Sequence, residues 1–157
     1  MDITVNIDIN QKIVNANTQK TVALATGASE TIAITPAVGQ IGKLNSLLIN
    51  CPPFGSSWGG HQIDIYIGAD RVLAFGQEAN TTKLAVQGFS PIGDPYFIAP
   101  DGTTFTMSEA AFAQLLSSIE FTNSMPLGIV YTNQSEDIQT NPRTYNIQYI
   151  SKAETSF

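Results

Sequence analysis

Cys51 and His61 are the only cysteine and the only histidine in the 157-residue chain. They flank one loop, Pro52–Gly60. A thiol nucleophile needs a base beside it, and His61 is the sole imidazole available. The plainer reading of Cys51 is a small side chain packed at the end of a strand. One cysteine and one histidine cannot make a structural zinc site by themselves. Asp64, Asp70, Asp94 and Asp101 carry oxygens that suit calcium, yet none lies in a D-x-D-x-D loop, so each reads as a turn or strand-face residue. Thirteen acidic residues allow many carboxylate pairs of the kind that cleave glycosides, and the sequence selects none of them. Gly55-Ser56-Ser57-Trp58-Gly59 has G-x-S-x-G spacing when Ser57 is taken as the nucleophile, but the strand–elbow–helix setting is missing. No G-K-[ST] follows the glycines near Lys43. The expectation is a protein that is not an enzyme, with no cofactor and no metal.

What remains distinctive is a surface rather than a reaction. Phe54, Trp58 and His61 stand among three glycines and two serines in the Pro52–His61 loop. An exposed Trp with adaptable neighbours can stack on a sugar ring or dock on a protein. Tyr66, on the strand that follows, joins Phe54, Trp58 and His61 as a candidate binding residue. The alternative is that Phe54 and Trp58 fold back as a lid over the end of the domain.

The segments that hold this loop read as β-structure. Leu44–Asn50 is apolar. His61–Ile67 alternates, with Ile63, Ile65 and Ile67 on one face and Gln62, Asp64 and Tyr66 on the other; period two marks a half-buried strand. Gly68-Ala69-Asp70-Arg71 turns the chain into Val72–Phe75. Earlier, Asp2–Ile9 alternates in the same way, Gln11–Asn17 either continues that strand or connects, and Thr18–Ala25 and Glu30–Thr35 look like partners across Thr26–Ser29. Later strands are expected at Lys83–Phe89, Tyr96–Ile98, Thr103–Phe105 across the Pro100-Asp101-Gly102 turn, Leu127–Thr132 and Arg143–Ile150. One helix is expected at about 107–119. Thr106-Met107-Ser108-Glu109 fits a capping box, and Phe112, Leu115, Leu116 and Ile119 form an apolar stripe. Nine or ten short strands with turns every eight to twelve residues point to an all-β, antiparallel sandwich or barrel, and the sandwich is the expectation. A helix inserted late between strands favours a jelly roll. The chain is expected to be a single domain, 1–157, with a loose tail at 151–157.

Charged residues make up 13% of the chain, about half the usual share of roughly 25%. Asn, Gln, Ser and Thr must therefore cover much of the surface, which suits a protein packed against neighbours or one that lives outside cells. The net charge is −6 and the seven Lys and Arg are scattered, so neither nucleic acid nor an anionic membrane is an expected partner. No signal peptide is read at the start, and no apolar run reaches the length of a membrane span.

In these respects the chain resembles bacteriophage and viral virion proteins: shell, decoration and fibre-base modules of one β-sandwich. The shared features are few charges, many Asn, Gln, Thr and Ser, glycine-rich loops, and alternating strands such as Asp2–Ile9 and Gln62–Ile67. The resemblance implies a virion structural protein, made in the host cytoplasm and present in many copies. It would act by assembly with itself or with other virion proteins. The alternative expectation is a carbohydrate- or receptor-binding module that takes a glycan at the Pro52–His61 loop.

Overall fold

The computed structural model describes residues 11–53, 60–78 and 83–154. Within them are twelve strands and one helix: β1 Lys12–Lys20, β2 Ser29–Ile34, β3 Gln40–Cys51, β4 His61–Ile67, β5 Asp70–Gln77, β6 Leu84–Gln87, β7 Ser90–Ile92, β8 Tyr96–Ile98, β9 Thr104–Phe105, α1 Glu109–Ser117, β10 Glu120–Thr122, β11 Leu127–Asn133 and β12 Arg143–Ala153. They form two antiparallel sheets, β1-β12-β3-β6-β7 and β2-β11-β4-β5-β8-β9, with β10 added to β3. The strands β1-β12-β3-β6 facing β2-β11-β4-β5 give the order of a double-sheet jelly roll. The all-β sandwich with one short helix is thus the observed architecture. Among the described residues no helix is long and apolar enough to cross a membrane.

Alternation builds the core. From the first sheet Leu47, Ile49, Leu84, Val86, Tyr145 and Ile147 point inward; from the second come Ile63, Ile65, Phe75, Leu127, Ile129 and Tyr131. Two bulges interrupt the period. Tyr149 pairs with Leu44 while Gln148 pairs with Ser46, so Asn45 is an extra residue on β3. Tyr66 pairs with Arg71 while Ile65 pairs with Leu73, which leaves Val72 as the extra residue on β5. Such insertions re-aim single side chains without shifting the whole register.

Several expectations are corrected. Thr18–Ala25 and Glu30–Thr35 do not form a hairpin: β1 and β2 lie in opposite sheets, joined by a loop that bridges Leu24 to Gln139. Ser90–Pro95 contains a strand, β7, which pairs with β6. The helix is capped by Ser108, whose hydroxyl accepts from the Ala111 amide at 3.1 Å, and not by Thr106. Ile119 is buried, but beyond the helix end. The tail begins later than 151, because β12 runs to Ala153 and Ser151 is buried. Asp2–Ile9 lies outside the described residues.

Candidate functional site

Of the four nominated binding residues, the two that are described, His61 and Tyr66, do not converge. Phe54 and Trp58, with the Gly55–Gly59 motif, lie outside the described residues. The chain leaving that motif enters β4, a strand, where a nucleophile elbow would feed a helix. His61 is corrected from a loop-surface residue to a fully buried one. Its Nδ1 is 3.1 Å from the Tyr131 hydroxyl, and the two rings meet edge to face. Tyr66 is half-buried on the opposite, outer face of β4. It is five residue steps along the strand from His61, roughly 17 Å at 3.4 Å per residue.

His61 belongs to a polar cluster that closes one end of the sandwich. Gln139 donates to the Tyr131 hydroxyl and to the Pro52 carbonyl, each at 3.3 Å, while its own oxygen accepts from the Asn141 amide at 2.9 Å. Asn133 donates to the carbonyls of Leu24 and Asp137. The Gln134 amide donates to the Gly60 carbonyl at 2.9 Å. Gly60 has to be glycine here: a Cβ would fall 1.6 Å from the Gln77 carbonyl oxygen. Three loops are thereby tied to one another through backbone groups that would otherwise be buried unpaired, at a cost of about 1–3 kcal/mol each.

Beside this lies an ion pair that crosses the sandwich. Arg143 on β12 is fully buried and pairs with Glu30 on β2 through two nitrogens. It also donates to the carbonyls of Val22 and Asn141 at 2.8 and 2.9 Å. Tyr145 donates to Glu30 at 2.8 Å. The Glu30 carboxylate raises the Arg143 pKa further, mainly by accepting its hydrogen bonds. Burial pushes the Tyr145, Tyr131 and Cys51 groups far above their ordinary ranges. Cys51 is a buried thiol held protonated, the opposite of an activated nucleophile. Sequence reasoning missed Arg143. The one available signal was its place at an inward position of a cleanly alternating strand.

The outer faces differ from this interior. On the first sheet, Asn15, Asn17 and Gln19 of β1 lie in register beside Gln148, Asn146 and Thr144 of β12, which adjoin Ser46, Leu48 and Asn50 of β3. No charged residue falls among them. Gln148 donates to Asn15 at 3.1 Å and accepts from the bulge residue Asn45 at 2.6 Å, giving an amide row across three strands. On the second sheet, Asp64 is buried to 7% exposure although it faces outward. Gln62 donates to both of its oxygens, and Arg71 stands 3.6 Å away. Asp101 caps its turn by accepting from the Thr103 hydroxyl and amide, which lowers its pKa. Among the described residues no three His, Cys, Asp or Glu gather as metal ligands.

No family model matches the chain, and no curated protein matches its sequence. Solved structures to which the chain shows a distant likeness include that of infectious bursal disease virus, Gx strain: 8% identity, TM-score 0.37, covering 100% of this chain and 37% of that one. The CBM2 module of the Lactobacillus casei BL23 phage J-1 evolved Dit is 9% identical, with TM-score 0.35 over 85% of this chain and 75% of that module. The nora virus structure is 11% identical, with TM-score 0.35 over 100% of this chain and 68% of that one. The chain thus spans little more than a third of the bursal disease virus chain.

Proposed function

We propose that the protein is a non-catalytic structural component of a virion, a shell, decoration or minor capsid protein that works by packing against copies of itself or other virion proteins. The observation that carries this reading is the uncharged amide face of β1-β12-β3, laid on a jelly-roll frame. Jelly rolls serve capsid and lectin domains alike, so the frame by itself is an argument by analogy. The face adds the physical part. Amides give up water at lower cost than charges and find partners on a neighbouring polar surface. A standard contact takes about 800 Å² from each partner, near a tenth of the chain's 8535 Å². One sheet face can supply that area.

Light scattering after size exclusion tests the reading. A closed oligomer, dispersed when Asn17 and Asn146 are both changed to Lys, is the expected result. A monomer that also fails to bind any other virion protein would sink the proposal.

A further inference from the structure

The edges of the two sheets differ in kind. The first sheet ends on one side at β7, three residues long with Pro91 in its middle. The second ends at β9, which has two residues. Short strands and proline blunt an edge, because they offer few backbone groups to a second chain. β2, at the other end of the second sheet, has six residues, and its inward Ile32 and Ile34 are only 7% and 6% exposed. Among the described residues β1 has none of these protections. It is nine residues long, holds no proline, and pairs with β12 at every position without a bulge. Its inner side is also unfinished. Tyr145, Ile147 and Tyr149 of β12 are buried, yet their partners Thr18, Ala16 and Val14 on β1 are only half-buried. A strand laid along β1 would pair with its outer row of N–H and C=O groups and cover the rest of Val14 and Ala16.

The side chains of β1 point to the occupant. The strand carries amides outside, at Asn15, Asn17 and Gln19, and Val14, Ala16 and Thr18 inside, with charge only at its ends, Lys12 and Lys20. A second β1 running antiparallel can match both faces at once, since a two-fold axis makes one patch complementary to itself. An axis between two residues would set inner side chains against outer ones, so the axis must pass through a residue. At Ala16 it would put Lys12 opposite Lys20 of the second copy, twice, and like charges directly opposite repel. At Asn15 it would put Ile13, 62% exposed, against an amide, Asn17. At Asn17 both mismatches disappear. Asn17 then meets Asn17 of the second copy, Asn15 meets Gln19, and Ala16 meets Thr18. Lys20 lies against Val14 with its stem on the apolar side chain. The amide row Asn45–Gln148–Asn15 would run on into the second copy without a break. We propose that β1 pairs with β1 of a second copy across a two-fold axis at Asn17, joining two first sheets into one. This deepens the assembly reading by naming one of its contacts, and rests on that reading.

Cysteine cross-linking tests the pairing, with Asn15→Cys, Asn17→Cys and Gln19→Cys made singly in the full chain. Directly opposed residues of an antiparallel pair have Cα atoms about 4.5–5.5 Å apart, within reach of a disulfide. The native Cys51 is buried and gives no background. After mild oxidation, Asn17→Cys is expected to run mostly as a dimer on a non-reducing gel. Asn15→Cys and Gln19→Cys should each stay monomeric when oxidised alone, and give a mixed dimer when combined. No cross-link at Asn17→Cys, or equal cross-linking of all three variants as random collision produces, would overturn the pairing. So would a dimer that forms only after residues 1–10 are deleted, because the chain's own start would then be what covers β1. Light scattering of the unmodified chain keeps the two readings apart. An oligomer without the Asn17→Cys cross-link sinks the edge pairing and spares the assembly reading. A cross-linked dimer that builds no larger particle and binds no virion protein does the reverse.

Discussion

Two regions hold the sheets together, and they do it by opposite means. At one, Arg143 and Tyr145 of the first sheet reach Glu30 of the second through directed hydrogen bonds. At the other, Phe112 of α1 packs edge to face on Phe75, 5.6 Å between centroids, and against Phe97 at 5.7 Å, both from the second sheet. The same helix contacts β3 and β7 of the first sheet. The polar clamp fixes two loops, through the Val22 and Asn141 carbonyls, but fails if one member is removed. The aromatic wedge names no single partner and tolerates adjustment. Specificity of loop placement and bulk cohesion are therefore supplied at different places in the one sandwich.

Alkali should separate the two regions most sharply. Cys51, Tyr131 and Tyr145 have folded pKa values raised above their ordinary 9.0, 10.0 and 10.0. The raised groups contribute stability that is complete below the unfolded values and falls as pH climbs past them, because only the unfolded chain then releases the protons. About 5 kcal/mol should be lost between pH 8 and pH 11, at 1.36 kcal/mol per unit per group. Urea melts followed by circular dichroism across that range would measure it, and a flat profile would contradict the buried hydroxyl picture. The aromatic wedge has no titrating group and would not produce such a slope.

Arg143→Met comes next. It strands the Glu30 carboxylate and should cost about 3–5 kcal/mol, while adding Glu30→Met should restore most of that. Phe112→Ala should cost a similar amount, about 3–5 kcal/mol, but adding Phe97→Ala should deepen the loss instead of relieving it. Urea midpoints for the four variants decide whether the regions differ in kind. Ser108→Ala, which removes the cap holding the wedge helix, should cost about 1 kcal/mol. Smallest is Asn45→Ala on the outer amide row. A change of about 0.5 kcal/mol or less is expected, since water replaces an exposed amide bond. A larger loss there would mean that the row supports the fold and is not spare surface.

The wedge was legible in the sequence and the clamp was not. Phe112, Leu115 and Leu116 announce themselves by helical spacing, and β4 and β12 by alternation, because burial of apolar groups repeats with the period of the backbone. Arg143 breaks that rule: its charge reads as surface, and only a partner 113 positions away makes its burial tolerable. His61 misled for the same reason, since its partner Tyr131 is 70 residues distant. The β1–β2 hairpin failed because a turn signal does not say whether the chain returns to its own sheet or crosses to the other. Of the candidate site, Tyr66 was placed on the outer face correctly. That β1 ends its sheet is set by strand order, which no local pattern encodes.

Cys51 carries one more consequence. As the chain's single thiol, fully buried and held in its unreactive protonated form, it is shielded from oxidants and from cross-linking to another copy. Thiol–disulfide chemistry therefore leaves the folded protein unchanged. A preparation kept in air and one kept under reductant should show the same single thiol, unreactive until the fold opens.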